Sequence, residues 1–270
     1  MADVYVTGSF DNLNSRHVRF LQEAGSLGSL HVWLWDDETV RAVEGREPEF
    51  PLNERFYLLE SLRYVSDVHP CTARTRPDAL PVVEGTGESL WVMREGEENT
   101  AREAFCQRTG VRLRLVPDSE LSGFPLPEEM PAERNKKVVV TGCYDWFHSG
   151  HVRFFEEAAQ FGDLYVGVGS DATVRDLKGA PHPLFGEDER RYMVQSVRFV
   201  TRAFINSGSG WLDAAPDIER LKPDYYIVNE DGDRPEKRRF CDEHGLEYVV
   251  LRRLPRSGLP SRESTILRGF

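Results

Sequence analysis

The sequence predicts two tandem α/β domains, each a doubly wound parallel sheet covered by helices on both faces. The first observation behind this is an internal repeat. TGSFDNLNSRHVRF at 7–20 and TGCYDWFHSGHVRF at 141–154 share eight of their fourteen residues. LHVWLWDDETV at 30–40 falls on LYVGVGSDATV at 164–174, and ERFYLLESLRYV at 54–65 on ERRYMVQSVRFV at 189–200. Residues 90–117 fall on 225–252, which brings Cys106 onto Cys241. The second observation is that short β-branched runs alternate with runs of helical period, the pattern of a parallel sheet with crossover helices. The third is that each first strand ends in Thr-Gly and leads straight into a helix start, the place where such sheets bind ligands.

Each copy reads strand, helix, strand, helix, strand, helix, strand. In the second copy KVVVTGCYD is a β-branched strand. HVRFFEEAAQFG places Val152, Phe155, Ala158 and Ala159 at helical spacing and closes on Gly162. DLYVGVGSD is a second buried strand, followed by a loop. EDERRYMVQSVRFV is a helix with Met193, Val194 and Val197 on one face. KPDYYIVNEDGD is a strand, RPEKRRFCDEHG a helix opened by Pro235 and closed by Gly245, and EYVVLRRL the last strand. The expected boundaries are a first domain at 1–130, a charged linker at 131–137 and a second domain at 138–270.

The 270 residues carry a net charge of −11. So acidic a surface argues against a nucleic-acid partner, whose phosphates need lysine and arginine. It leaves room for a small phosphorylated substrate in a local basic pocket. No apolar run approaches a membrane-spanning length, and the start MADVYVTGSF shows no secretory signal pattern. Cys71, Cys106, Cys143 and Cys241 are widely spaced, which speaks for reduced thiols rather than a zinc or disulfide framework. A cytoplasmic location is the expectation.

His148 and His151 lie just past the first strand of the second copy, with Gly150 between them and a helix beginning there. A helix start offers unpaired N–H groups and partial positive charge, glycine allows close approach of a phosphate, and two imidazoles three residues apart can aim at one spot. Taken alone, the spacing leaves a phosphate site, a pair of surface polar residues and half of a metal site open.

GCYDWFHSGH resembles the H-x-G-H signature of the cytidylyltransferase-like nucleotidyltransferases, whose fold is Rossmann-like. Three more segments of the second copy resemble the same family in order. These are GVGSDATVRDLKG, EDERRYMVQSVRFV and PRSGLPSREST. The resemblance implies transfer of a nucleoside monophosphate from CTP or ATP to a phosphate-bearing acceptor, with release of pyrophosphate. CTP and a phosphorylated small alcohol or sugar are the expected pair, as in the cytidylyltransferases that make CDP-alcohols from ethanolamine phosphate or glycerol 3-phosphate. The resemblance to ethanolamine-phosphate cytidylyltransferases includes a tandem of intact and degenerate copies, in the opposite order. An ATP-using adenylyltransferase on a sugar phosphate is the alternative, and a non-catalytic nucleotide sensor a third.

By the same resemblance His148, His151, Lys178 and Arg190 are catalytic. Gly142, Cys143, Tyr144, Gly150, Asn229, Asp231, Arg256, Ser264 and Thr265 bind the nucleotide. Mg²⁺ accompanies the triphosphate, held by phosphate oxygens and water rather than by protein ligands. Asn229 and Gly232 depart from the usual form of the segment that contacts base and ribose.

The bland readings are a solvated Lys178, an Arg190 in a surface ion pair, a Cys143 that is merely a small residue at a strand end, and a Trp146 in a pocket wall. In the first copy His148, Gly150 and Lys178 are replaced by Asn14, Arg16 and Glu44. Arg256, Ser264 and Thr265 are replaced by Leu121, Glu129 and Met130, while His17 and Arg55 survive. Arg16 is expected to crowd a phosphate and the added carboxylates to repel one. The first copy is therefore expected to be catalytically dead and kept as a packing partner, in an internal pseudo-dimer. A homodimer of the whole chain is a further expectation.

Overall fold

The computed structural model describes residues 2–71, 78–80, 89–263 and 267. The chain divides into two compact units, Met1–Gly123 and Phe124–Phe270. The division falls ahead of the expected charged linker, because residues 124–136 are tied to the second unit. There the Met130 amide donates to the Thr201 carbonyl (3.2 Å), Glu129 pairs with Arg202 (3.1 Å) and the Arg134 amide donates to the Asp163 carboxylate (3.0 Å).

The first unit runs β1 (Ala2–Gly8), α1 (Ser15–Ser26), β2 (Gly28–Trp35), α2 (Asp37–Glu44), α3 (Leu52–Glu60), β3 (Asp67–Cys71), β4 (Leu90–Arg94), α4 (Thr100–Thr109) and β5 (Arg112–Val116). The second runs β6 (Lys137–Gly142), α5 (Ser149–Ala158), β7 (Asp163–Val168), α6 (Asp171–Lys178), α7 (Glu187–Gln195), β8 (Val200–Ile205), α8 (Ala215–Leu221), β9 (Tyr225–Asn229), α9 (Pro235–His244) and β10 (Glu247–Leu251). Both sheets are parallel throughout, in the orders β3-β2-β1-β4-β5 and β10-β9-β6-β7-β8. Each unit is thus a doubly wound, Rossmann-like α/β domain. The first strand of each sheet is the point where the winding reverses, and a crevice opens there at the carboxyl ends of the strands.

Each sheet has five strands where the sequence reading placed four. The run EDERRYMVQSVRFV is not one helix: α7 stops at Gln195 and β8 begins at Val200. Apolar residues continue through the break without a glycine or proline, so nothing in the pattern marks the change of period. The loop after β7 is likewise a helix, α6, capped by the Ser170 hydroxyl at the Thr173 amide (3.2 Å).

The two sheets differ in how deeply they are covered. All six residues of β7 are buried, the signature of a central parallel strand with both faces covered. In β2, Leu30, Val32 and Leu34 are fully buried on one face, while Ser29, His31 and Trp33 on the other are only partly covered.

A pair of buried side chains fastens the same loops in both units. Arg190 on α7 donates to the Phe185 carbonyl (2.9 Å), the Cys143 carbonyl (2.7 Å) and Asp171 (2.7 Å). Arg55 on α3 donates to the carbonyls of Phe50 (2.9 Å), Ser9 (2.6 Å) and Trp35 (2.8 Å) and to Asp37 (2.6 Å). Asp145 accepts from the Leu184 and Phe185 amides, and Asp11 from those of Glu49 and Phe50. Each arginine thereby joins the turn after the first strand to the helix after the second. Removing the guanidinium leaves two or more buried carbonyls and a carboxylate without donors. Arg55→Met and Arg190→Met are each expected to lower stability by about 3 kcal/mol, read as a shift in the urea unfolding midpoint.

Candidate active site

The second unit holds a cavity of about 280 Å³ at the reversal point, between the ends of β6 and β9 and the start of α5. Of the residues picked from sequence, Gly142, Cys143, Tyr144, His148, Gly150, His151, Lys178, Asn229 and Asp231 line it. Arg190 and Arg256 are not among its lining residues, and Ser264 and Thr265 lie outside the described residues.

His148 is the N-cap of α5, a position more often held by Ser, Thr, Asp or Asn. Its Nδ1 accepts a hydrogen bond from the Gly150 amide (3.1 Å). Burial, and secondarily the positive charges of Arg253 and Arg262, push its pKa down to about 3. The ring is therefore neutral, and since Nδ1 is an acceptor the proton sits on Nε2. That Nε2–H is buried and has no hydrogen-bond partner among the described residues. His151 stacks on His148 with ring centroids 4.0 Å apart, and burial holds it well below the usual histidine range. Its Nδ1 is also buried without a partner. Both imidazoles line the cavity, and burial makes both of them neutral.

Gly150 lines the cavity and also has a packing role. A Cβ there would lie 2.9 Å from His148 Cε1, and its amide is already donated to the ring. The glycine thus makes room for the histidine cap. Gly142 plays the same part for Tyr144, whose ring folds back with φ +53° so that a Cβ on Gly142 would meet Tyr144 Cζ at 2.7 Å. Tyr144 in turn packs edge-on against His151, with centroids 5.3 Å apart. Cys143 gives its carbonyl to Arg190, and burial pushes its thiol pKa up. Arg190 itself is a positioning residue: its guanidinium, 1% exposed, is occupied by two carbonyls and Asp171, and that is why its counterpart Arg55 survives in the first copy.

Two cations that the sequence reading missed line the cavity. Arg253, just past β10, donates to Asp231 (2.7 Å) and to the Arg262 carbonyl (3.0 Å). The resemblance to the family's C-terminal signature points to Arg256 instead, three residues further on. Lys237 sits in the first turn of α9, buried, with its ammonium 5.5 Å from the Tyr226 ring, and burial lowers its pKa. A lysine in the first turn of a helix opposes the helix dipole, and that anomaly was the available signal. His182 and Glu263 also line the cavity.

The equivalent cavity of the first unit, about 300 Å³, is lined among others by His17, Glu44, Arg94, Glu97 and Arg102. Its charges are paired internally: Glu44 with Arg46 (2.7 Å), Arg94 with Glu97, and Arg102 with Asp78 (3.0 Å). Asn14 caps α1 through the His17 amide (3.1 Å), so no ring has to be accommodated over the position of Arg16. Arg16 does not crowd the cavity as expected. It is exposed and pairs with Asp118 at 2.5 Å.

Two outcomes follow from this geometry. Gly150→Ala is expected to displace the His148 ring and lower turnover by about tenfold or more, with little change in the melting temperature; initial-rate and melting measurements on the same preparation check it. Between the unperturbed histidine value of 6.5 and about 3, the unfolded chain holds a proton on residue 148 that the folded chain does not. This contribution to stability is complete above that window and falls as pH is lowered through it. His148→Gln is expected to flatten the loss of stability between pH 6.5 and 4, measured by urea unfolding across that range.

The sequence profile described as cytidylyltransferase-like matches residues 139–252. An FAD synthase of Aciduliprofundum boonei is 36% identical over 119 residues, covering 43% of this chain and 76% of that protein. The bifunctional protein HldE of Syntrophotalea carbinolica is 32% identical over 152 residues, covering 56% of this chain and 29% of that protein, so this chain spans less than a third of that relative. An ethanolamine-phosphate cytidylyltransferase of Arabidopsis thaliana is 24% identical over 280 residues, covering 77% of this chain and 65% of that protein. Among the described residues no helix is long and apolar enough to cross a membrane. With the paired imidazoles at the helix start and these relatives, the chain belongs to the cytidylyltransferase-like family and is an enzyme of the nucleotidyltransferase class.

Proposed function

We propose that the second unit transfers CMP from CTP to a phosphorylated small alcohol or sugar, releasing pyrophosphate. The observation that carries this reading is the pair of buried imidazole nitrogens on His148 and His151, without a hydrogen-bond partner among the described residues, beside a cavity with Lys178, Lys237 and Arg253 in its wall. The triphosphate would lie against them. The acceptor's phosphate oxygen attacks the α-phosphorus, and the bond to the β-phosphate oxygen breaks. The His148 Nε2–H donates to oxygens that gain charge as pyrophosphate leaves. A neutral donor already fixed by its Nδ1 bond needs no reorganisation when that charge appears. Lys178, exposed at the end of α6, supplies mobile positive charge on the acceptor side, and Asn229 and Asp231 stand where base and ribose would be read.

Mg²⁺ would supply charge neutralisation on the triphosphate. In this reading the metal comes in with the nucleotide. The carboxylates of the cavity wall are Asp145, whose Oδ1 accepts from the Leu184 and Phe185 amides, Asp231, which accepts from Arg253, and Glu263. Arg256, Ser264 and Thr265 remain part of the proposal as groups for the β- and γ-phosphates. The first unit, with its internally neutralised cavity, is proposed to be non-catalytic and to serve as the packing partner that the repeat provides.

A second reading, ATP in place of CTP, is favoured by the relatives named FAD synthase, since FAD contains an adenylyl group. Pyrophosphate release with each NTP, Mg²⁺ and a panel of phospho-alcohols and sugar phosphates tests both. His148→Ala and His151→Ala are expected to lower the rate by about 100-fold or more, and His17→Ala to leave it within about twofold. Turnover with ATP alone moves the assignment to adenylyl transfer. Equal losses in His17→Ala and His148→Ala would overturn the division of labour between the units.

A further inference from the structure

One cluster in the first unit has no counterpart in the second. On the partly covered face of its sheet, His31 of β2 stands directly opposite Asp67 of the edge strand β3, and Trp33 opposite His69. One ligand atom from each of His31, Asp67 and His69 lies within 4.8 Å of the others. The equivalent register pairs of the second unit are Tyr165 opposite Arg202 and Gly167 opposite Phe204. Those side chains offer no imidazole or carboxylate, and Arg202 is turned to Glu129. The metal-binding donor types are therefore peculiar to the copy whose phosphate cavity is neutralised.

From this geometry we infer that His31, Asp67 and His69 form a divalent-cation site of zinc type, with three protein ligands and a fourth position for water. The His31 Nδ1 and Asp67 Oδ2 atoms are 3.3 Å apart, about the edge of a tetrahedron whose ligands sit roughly 2.0 Å from the metal. Asp3 Oδ1 lies 3.7 Å from His31 Nε2, on the opposite side of the ring. A carboxylate behind a ligating histidine fixes its tautomer and raises its basicity. The rings themselves are held by aromatic neighbours: Trp33 sits 4.8 Å from His69, and Tyr5 stacks 5.5 Å from His31. Two imidazoles with one carboxylate select a borderline metal over Mg²⁺ or Ca²⁺, which prefer all-oxygen sites. A metal here would clamp the edge strand to β2 where the sheet face is least covered.

The test is titration of the untagged full chain with ZnCl₂, followed by calorimetry, and a melting curve with and without the metal. One zinc per chain with a dissociation constant of about 10 µM or tighter is expected, with a rise in melting temperature and no comparable response to MgCl₂. His31→Gln and His69→Gln are expected to weaken binding by about tenfold or more and abolish the rise, while melting as the wild type does without metal and keeping its nucleotidyl-transfer rate. His244→Gln, at a surface histidine of α9, is expected to bind as the wild type does. Absence of binding, or binding that survives both His31→Gln and His69→Gln, would overturn the inference and leave the cluster an ion-paired histidine pair. Because the readout is zinc binding, its failure leaves the reading of the second unit untouched.

Discussion

A histidine ring used as a helix cap sets most of what the second unit can do. The Gly150 amide must find an acceptor at the start of α5, and His148 Nδ1 is that acceptor. This one bond decides the tautomer, aims the Nε2–H away from the helix and forbids a Cβ at residue 150. Burial keeps the ring neutral, so its Nε2–H donor does not depend on solution pH near neutrality. The first unit solves the same capping problem with Asn14, whose short amide leaves space for the side chain of Arg16. The two differences between the copies are therefore one difference, coupled through the geometry of a single cap.

The features that both copies keep are those that hold the loops. Arg55 and Arg190, Asp11 and Asp145 occupy matching places and make matching bonds to backbone groups. A buried guanidinium satisfied by carbonyls is costly to lose whether or not catalysis is at stake. Survival of these four residues in both copies thus goes with their backbone bonds; survival alone does not sort structure from chemistry, since His17 also keeps the place of His151. By its bonds Arg190 belongs to the scaffold. The changes at Lys178, which becomes Glu44, and at Arg253, whose counterpart Asp118 now pairs with Arg16, belong to the site.

The fold was largely legible because its signals are local. β-branched runs, helix-closing glycines and the repeat itself pointed to alternating parallel strands and helices. The missed strand β8 sits where apolar residues continue without punctuation, and the missed helix α6 is only eight residues long, though Ser170 and Gly179 mark its ends. Within the site, the segment 141–151 was legible as a unit because neighbours in sequence are neighbours in space. Lys237 and Arg253 were not, because they reach the cavity from α9 and from beyond β10 and fall on no motif residue, unlike Lys178, Asn229 and Asp231. The cluster of His31, Asp67 and His69 escaped because it forms across strands, and its register exists only once β2 and β3 are paired.

By itself the sequence determined the repeat, the α/β class, the imidazole pair and the replacement of one of its members by Asn14 in the first copy. These follow from residue types at fixed short spacings, which the covalent chain sets. Only the tertiary structure decided what each group is for. It set Gly150 under the His148 ring, gave Arg190 to buried carbonyls and turned Arg16 to an outward ion pair. Those roles depend on which atoms lie within about 3 Å across the fold and on which are cut off from water, and neither quantity is a property of spacing along the chain.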